Sequence, residues 1–113
     1  MRNFYVILAV FFVLAPALAY PEPGKPSAST FRFHAPAATS VEVIGDFNSW
    51  LPGSNSLRGP DKRGIWQAVI TIPSGTRRIE YIYLINGKQR VLDTTQPAIS
   101  DDFGGKNNIW LSQ

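Results

Sequence analysis

Past residue 30 the chain alternates apolar and polar positions in short runs, and glycine, proline or asparagine closes almost every run. Phe31-Arg32-Phe33-His34 alternates with period two and predicts a first strand; Val41-Glu42-Val43-Ile44 predicts a second. Residues 52–64 are polar and turn-rich, interrupted by Leu57, which marks a short edge strand. Ile65–Ile72 predicts a third strand; both of its faces are fairly apolar, which places it in the middle of a sheet. Residues 77–85 predict a fourth, with Ile79, Tyr81, Tyr83 and Ile85 on one face and Glu80, Ile82 and Leu84 on the other. Asn86-Gly87 then supplies two residues that accept positive φ, the signal of a type I′ hairpin. Arg90-Val91-Leu92 returns as a short strand. Residues 93–106 show no periodicity and read as one long loop, a kind that often carries function. Residues 107–111 close the domain as the last strand. No helical period occurs after residue 20, so the fold class is all-β, an antiparallel β-sandwich.

The second strand runs directly into Gly45-Asp46-Phe47-Asn48-Ser49-Trp50. Glycine permits either a positive φ or a close backbone approach, and Asp and Asn favour turns by bonding nearby backbone. Two arrangements are open for the rings. Phe47 enters the core and Trp50 stays at the rim as a flat platform, or both enter the core, as large aromatics usually do. Trp66, Tyr81 and Tyr83 read as core. Trp110 is either exposed or covered by the segment before the first strand. Asn107-Asn108 is either a turn device or a ligand group, and His34 has no partner motif.

The N-terminus carries an address. Arg2 precedes an apolar run over residues 4–15, and Ala17-Leu18-Ala19 is a small-x-small cleavage pattern. The run falls short of the roughly 20 apolar residues a membrane span needs. The expected organisation is a signal peptide at 1–19, a proline-rich leader at 20–29 and the sandwich at 30–113, with the product secreted or periplasmic and no membrane association after cleavage. The chain has no cysteine, so disulfides and cysteine metal sites are excluded.

Net charge is +3 over 113 residues, and the only adjacent basic pairs, Lys62-Arg63 and Arg77-Arg78, fall in predicted turns. Such a distribution offers no nucleic-acid stripe. The catalytic inventory is thin: one histidine, no cysteine, no nucleophile elbow and no phosphate loop. Asp101-Asp102 are adjacent, whereas two carboxylates that hydrolyse a glycoside must face each other across it. Asp93, Asp101 and Asp102 match no calcium-loop spacing. The reading is a protein without catalytic residues, metal or cofactor.

Four stretches, in order, resemble the glycogen-binding, family-48 type of carbohydrate-binding module. They are Val43-Ile44-Gly45-Asp46-Phe47-Asn48-Ser49-Trp50; Trp66 opening a strand that ends at Ile72-Pro73-Ser74-Gly75; Tyr81-Ile82-Tyr83-Leu84-Ile85-Asn86-Gly87; and Phe103-Gly104-Gly105-Lys106-Asn107-Asn108-Ile109. The resemblance covers residues 31–111 and implies an early-set, immunoglobulin-like sandwich. The same domain precedes the barrel of isoamylases and branching enzymes and occurs in the β subunit of AMP-activated protein kinase. In glycogen-binding members two tryptophans stack on glucose, a lysine and an asparagine bond hydroxyls, and an apolar residue near the last loop wedges into the glucan. Trp50 falls on the first tryptophan, Asn107 on the asparagine and Phe103 on the wedge. Ile82 stands in the lysine's place. Lys88-Gln89-Arg90 follows the hairpin where the second aromatic belongs, and Arg90 offers a guanidinium that bonds hydroxyls and stacks.

The resemblance therefore implies an α-glucan as partner, held by Trp50, Asn107, Phe103 and Arg90. One stacking platform contributes about 1–3 kcal/mol by analogy with base stacking. A few hydrogen bonds add about 0.5–1.5 kcal/mol each, so affinity is expected near the millimolar range, at about 4 kcal/mol. The alternative is an exported protein-interaction domain that has lost glucan binding and presents Ile82, Leu84 and the loop around Phe103 as an apolar patch to a protein partner.

Overall fold

A computed structural model describes residues 26–113. The expected signal peptide and most of the expected leader lie outside the described residues. Seven strands form: β1 (Ser27–His34), β2 (Val41–Gly45), β3 (Ile65–Ile72), β4 (Arg78–Ile85), β5 (Gln89–Val91), β6 (Ala98–Ser100) and β7 (Lys106–Leu111). All pairings are antiparallel. β1 and β3 make one sheet; the other runs β2-β4-β7-β6, with β5 also on β4. The two sheets enclose one core. Phe31 and Phe33 of β1, Val41 and Val43 of β2, Trp66, Ile70 and Ile72 of β3, and Ile79, Tyr81 and Tyr83 of β4 pack into it. Every one of these residues sits on a single face of its strand, which is why period-two alternation reads out the fold. The protein is an all-β antiparallel sandwich.

Aromatic rings fill the interior. Phe33 stacks on Tyr83 with centroids 4.4 Å apart, and Phe31 meets Tyr81 edge-on at 4.9 Å. Such offset and edge geometries suit the ring quadrupoles. The buried Trp66 donates its indole N–H to the Ala35 carbonyl at 2.8 Å. Trp110 is half-buried and donates to Ser29 Oγ at 2.9 Å, so the N-terminal part of β1 covers it. That part begins at Ser27 and extends the strand into the segment expected as leader.

One side of the sandwich is closed by residues 55–58. Val43 donates to the Asn55 carbonyl and Leu57 to the Val41 carbonyl, while Arg58 and Gln67 exchange a pair of bonds at 2.8 and 2.9 Å. This segment thus crosses from β2 to β3, and Leu57 is buried in the core rather than sitting in an edge strand. β3 itself departs from expectation. It is not in the middle of a broad sheet: it has β1 on one side and a single bridge at Arg58 on the other, and its outer face is open, with Val69 68% exposed. Apolar residues on both faces indicate, but do not require, cover on both.

The stretch 93–106 contains a strand the pattern did not show. β6 is three exposed residues, too short to alternate visibly. Asn108, fully buried, organises the approach to it: its side chain accepts from the Asp93 N–H and donates to the carbonyls of Asp93 and Pro97. At the β4–β5 turn, Asn86 and Gly87 take φ of 54° and 70°, as expected, and Asn86 Oδ1 accepts from the backbone of Thr39 and Ser40.

Burial raises the pKa of the Tyr81 hydroxyl to about 12, with the negative charge of Asp93 adding to it. Tyr83 is raised further, by burial first and then by Tyr81 and Asp93. Both folded values exceed the unfolded value near 10, so the phenols contribute fully below pH ~10. Above that pH the unfolded chain releases protons first, and stability falls as pH climbs towards the folded values. Denaturation midpoints are therefore expected to drop steeply above pH ~10, and Tyr81→Phe should flatten that decline; an unchanged slope would show that Tyr81 does not carry it.

Candidate functional site

The site is built where β2 ends. Gly45 has extended backbone, φ −177°, so its glycine is not there for a positive φ. It is there for proximity: a Cβ would collide with the Glu80 carbonyl oxygen and lie 2.8 Å from Tyr81 Cβ. β2 therefore rides onto β4 closely enough for the next turn to bond to it. A 3₁₀ turn, Asp46–Asn48, follows. Phe47 packs inward, 5.9 Å from Phe31. Asn48 folds back, accepting from Gly45 N–H at 2.9 Å and donating to the Val43 carbonyl and to Asn55 Oδ1.

Ser49 and Trp50 then both adopt left-handed backbone, φ 57° and 59°. A bulky residue there is an outlier that persists only when its surroundings over-determine it, and here they do. Trp50 N–H bonds the Gly45 carbonyl at 2.9 Å. Its indole N–H donates to Asp46 Oδ1 at 3.2 Å, while Asp46 Oδ2 accepts from Glu80 N–H at 2.8 Å. One carboxylate thus ties the ring to β4. On the other flank the Arg90 guanidinium lies over the indole, 5.6 Å from its centroid, and Arg90 pairs with Leu84 of the same strand. The ring is held between anchors at Glu80 and Leu84, half-buried, outside the core cluster. Of the two arrangements open from sequence, Phe47 goes in and Trp50 goes to the rim.

The outer face of β4 beneath it is apolar. Ile82 pairs with Ile44, and both are buried without belonging to the core between the sheets. Leu84 is buried as well. This corrects the apolar patch expected from Ile82 and Leu84: neither is exposed for a partner, because the central strand of this sheet is covered on both faces. Asn107 lies on β7, where the ladder with β4 places it on the same face, and it pairs with Ile99 of β6. It is only 6% exposed; its Nδ2 donates to Glu80 Oε1 at 3.2 Å, and its Oδ1 is buried without a hydrogen-bond partner among the described residues. Glu80 also binds Arg78 at 2.9 Å. Glu80 thereby links the Trp50 anchor to Asn107 through its backbone N–H and its carboxylate.

Phe103 is apart from these. It tops the β6–β7 turn with 94% of its surface exposed, held by Asp101 Oδ1, which accepts from the N–H groups of Phe103 and Gly105 at 2.8 Å. The structure thus brings Trp50 and Arg90 into contact, puts Asn107 on the same sheet face and leaves Phe103 at a loop tip. The loop carboxylates serve local structure: Asp93 Oδ1 accepts from the N–H and hydroxyl of Thr95. The residues that sequence reading treated only as turn formers, Asp46 and Asn48, set the platform's geometry. Glu80 had no signal at all, since its role depends on a neighbour 34 residues away.

The family model for carbohydrate-binding module 48, the isoamylase N-terminal domain, matches residues 19–101, and the chain belongs to that family. Its fold is accordingly immunoglobulin-like, and the family is one of binding modules rather than catalytic domains. Similar proteins are 1,4-alpha-glucan branching enzymes. That of Nocardia farcinica is 34% identical over 76 residues, 66% of this chain and 10% of the enzyme. That of Desulfitobacterium hafniense is 29% identical over 98 residues, 74% of this chain and 15% of the enzyme. The Lactiplantibacillus plantarum enzyme reaches 45% over 42 residues, 37% of this chain and 6% of the enzyme. The chain spans about a tenth of the first of these relatives.

Gly45→Ala is expected to cost about 1–3 kcal/mol by overpacking, read as a lowered denaturant midpoint, and to loosen the indole, read as a red-shifted tryptophan emission. Asn48→Ala should cost a similar ~1–3 kcal/mol through the donors and acceptors it strands. Wild-type midpoints in both variants would show that the turn does not depend on them.

Proposed function

We propose that this chain is an exported, non-catalytic module that binds α-glucan through the Trp50 indole. The supporting observation is that ring: half-exposed, at the end of a strand, in left-handed backbone, and held by Asp46 on one side and Arg90 on the other. A glucose ring has an apolar face and a rim of hydroxyls, so it needs one flat surface and fixed polar groups around it. A ring immobilised before the ligand arrives loses little entropy on binding. The family supplies the ligand class, carbohydrate, and the relatives' name, 1,4-alpha-glucan branching enzyme, narrows it to α-glucan.

Arg90 replaces the missing second platform by bonding hydroxyls beside the first. Asn107 Oδ1 has no donor among the described residues, and a sugar hydroxyl is one. Phe103 wedges into the helical glucan. Residues 1–19 supply export, leaving Tyr20 as the mature N-terminus.

A protein-interaction role is the second reading, and the bare Phe103 ring is what favours it. The two separate on one variant: Phe103→Ala weakens glucan retention if the ring wedges into glucan and leaves it unchanged if the ring meets protein.

On insoluble starch and on glycogen, the wild-type chain is expected to be retained and Trp50→Ala to be lost to the wash. The expected loss is about 5- to 150-fold for a platform contributing about 1–3 kcal/mol. No retention of wild type on any glucan would overturn the proposal. Arg90→Ala should weaken retention; unchanged retention would remove Arg90 from the site. N-terminal sequencing of product from an exporting host is expected to begin at Tyr20.

A further inference from the structure

The outer face of the β1–β3 sheet lies on the far side of the sandwich from Trp50 and carries positive charge that the Trp50 site does not use. Arg58 exchanges two backbone bonds with Gln67, and Gln67 lies directly across the ladder from Arg32. Arg58, Gln67 and Arg32 therefore stand in one row on one face. That face is the outer one: all three are exposed, while Leu57, Trp66 and Phe33 beside them turn into the core. Ladder spacing sets the two arginine Cα atoms about 10 Å apart. The neighbouring rows are Thr30 with Val69 on one side and His34 with Ile65 on the other. The segment after Arg58 stays alongside, where the Asp61 N–H bonds the Ile65 carbonyl at 2.9 Å. Together they shape a groove of about 690 Å³ lined by Thr30, Arg32, Ser56, Arg58 and Gln67, among others. The groove is short of negative charge. Its one lining carboxylate, Asp61, is engaged by its own turn: Oδ1 accepts from the N–H groups of Arg63 and Ile65 at 2.8 and 2.9 Å, and Oδ2 lies 3.9 Å from the Arg63 guanidinium. Among the described residues neither Arg32 nor Arg58 meets a carboxylate.

The Arg32 Nε–H donates to Gln67 Oε1 at 3.1 Å, and that bond fixes two things. It leaves the two terminal nitrogens of Arg32 as a fork that meets a carboxylate end-on. It also commits the amide oxygen to Arg32, so the Gln67 nitrogen, a donor, is what remains for a ligand. We propose that this face binds a carboxylated polysaccharide, with one uronate carboxylate on the Arg32 fork and another on Arg58. The planar guanidinium matches carboxylate geometry, and two of them on separate strands suit anionic groups spaced along a chain. Three observations favour an acidic glycan over other polyanions. The chain belongs to a family of carbohydrate-binding modules. No aromatic ring lines the groove to stack on a nucleobase. Val69 is the one large apolar side chain exposed on this face, whereas the centre of a protein interface gathers aromatic residues and excludes charge. The proposal does not rest on the α-glucan reading, because the two sites occupy different sheets.

The purified chain is expected to be retained on immobilised polygalacturonate at low ionic strength and to elute as salt is raised. Arg32→Gln and Arg58→Gln should each weaken retention about fivefold. Arg77→Gln, which removes the same charge from the turn before β4, should leave it unchanged. No retention of wild type overturns the proposal, and so does equal weakening by Arg77→Gln, which would reduce the binding to overall charge. Polyglutamate and duplex DNA are the rival polyanions; displacement of the chain by either at a lower charge concentration than free polygalacturonate needs also overturns it. Should an arginine variant misfold, amide NMR of the wild type titrated with trigalacturonate provides the second measurement: shifts are expected at Arg32, Arg58 and Gln67, and shifts confined to other residues overturn the site. Trp50→Ala should keep its retention on polygalacturonate whatever it does on starch. Loss on polygalacturonate would move the acidic glycan to the indole and overturn the assignment to this face.

Discussion

The near-contact of Gly45 with β4 is the constraint on which the rest of the site depends. No side chain fits between this residue and the Glu80 carbonyl. Because the two backbones meet there, a single carboxylate at the next position spans from the Glu80 N–H to the Trp50 indole. Widen that gap by the radius of a methyl group and Asp46 reaches one partner or the other. The left-handed pair Ser49-Trp50 then has nothing to hold it, since bulky residues leave that region when released.

β4 serves two environments through one alternation. Its inward residues, Ile79, Tyr81 and Tyr83, build the aromatic core. Its outward residues, Ile82 and Leu84, are buried under the site. Together these two side chains give that face of the sheet an apolar bed. The arginine over the ring supplies a cation–π contact of about 0.5–1 kcal/mol at an exposed site. The indole is thus braced by Asp46 and Arg90, and a group ordered in advance loses less entropy when it makes a contact.

Much of the fold was legible in the residues. Period two over β1, β2 and β4 assigned their inward faces correctly, and Asn86-Gly87 placed a hairpin whose φ values are those its turn type requires. β6 was not legible, because three exposed residues carry no alternation. The position of β3 was misread, because apolar side chains such as Val69 tolerate solvent singly. For the site, Trp50 and Gly45 stood out from local sequence, and Asp46 and Asn48 were visible as turn formers but not as the braces they are.

What the amino-acid order determined by itself is the set of local elements: strands, turns and the conjunction of glycine, carboxylate, amide and tryptophan at the end of β2. Those depend on φ preferences and on neighbours a few bonds away. Only the tertiary structure decided which ring enters the core, that Glu80 joins the indole's anchor to Asn107, and that Ile82 and Leu84 are covered. Each of these is a contact across tens of residues of chain. Its existence depends on where two sheets come to rest against each other, and no local preference encodes that.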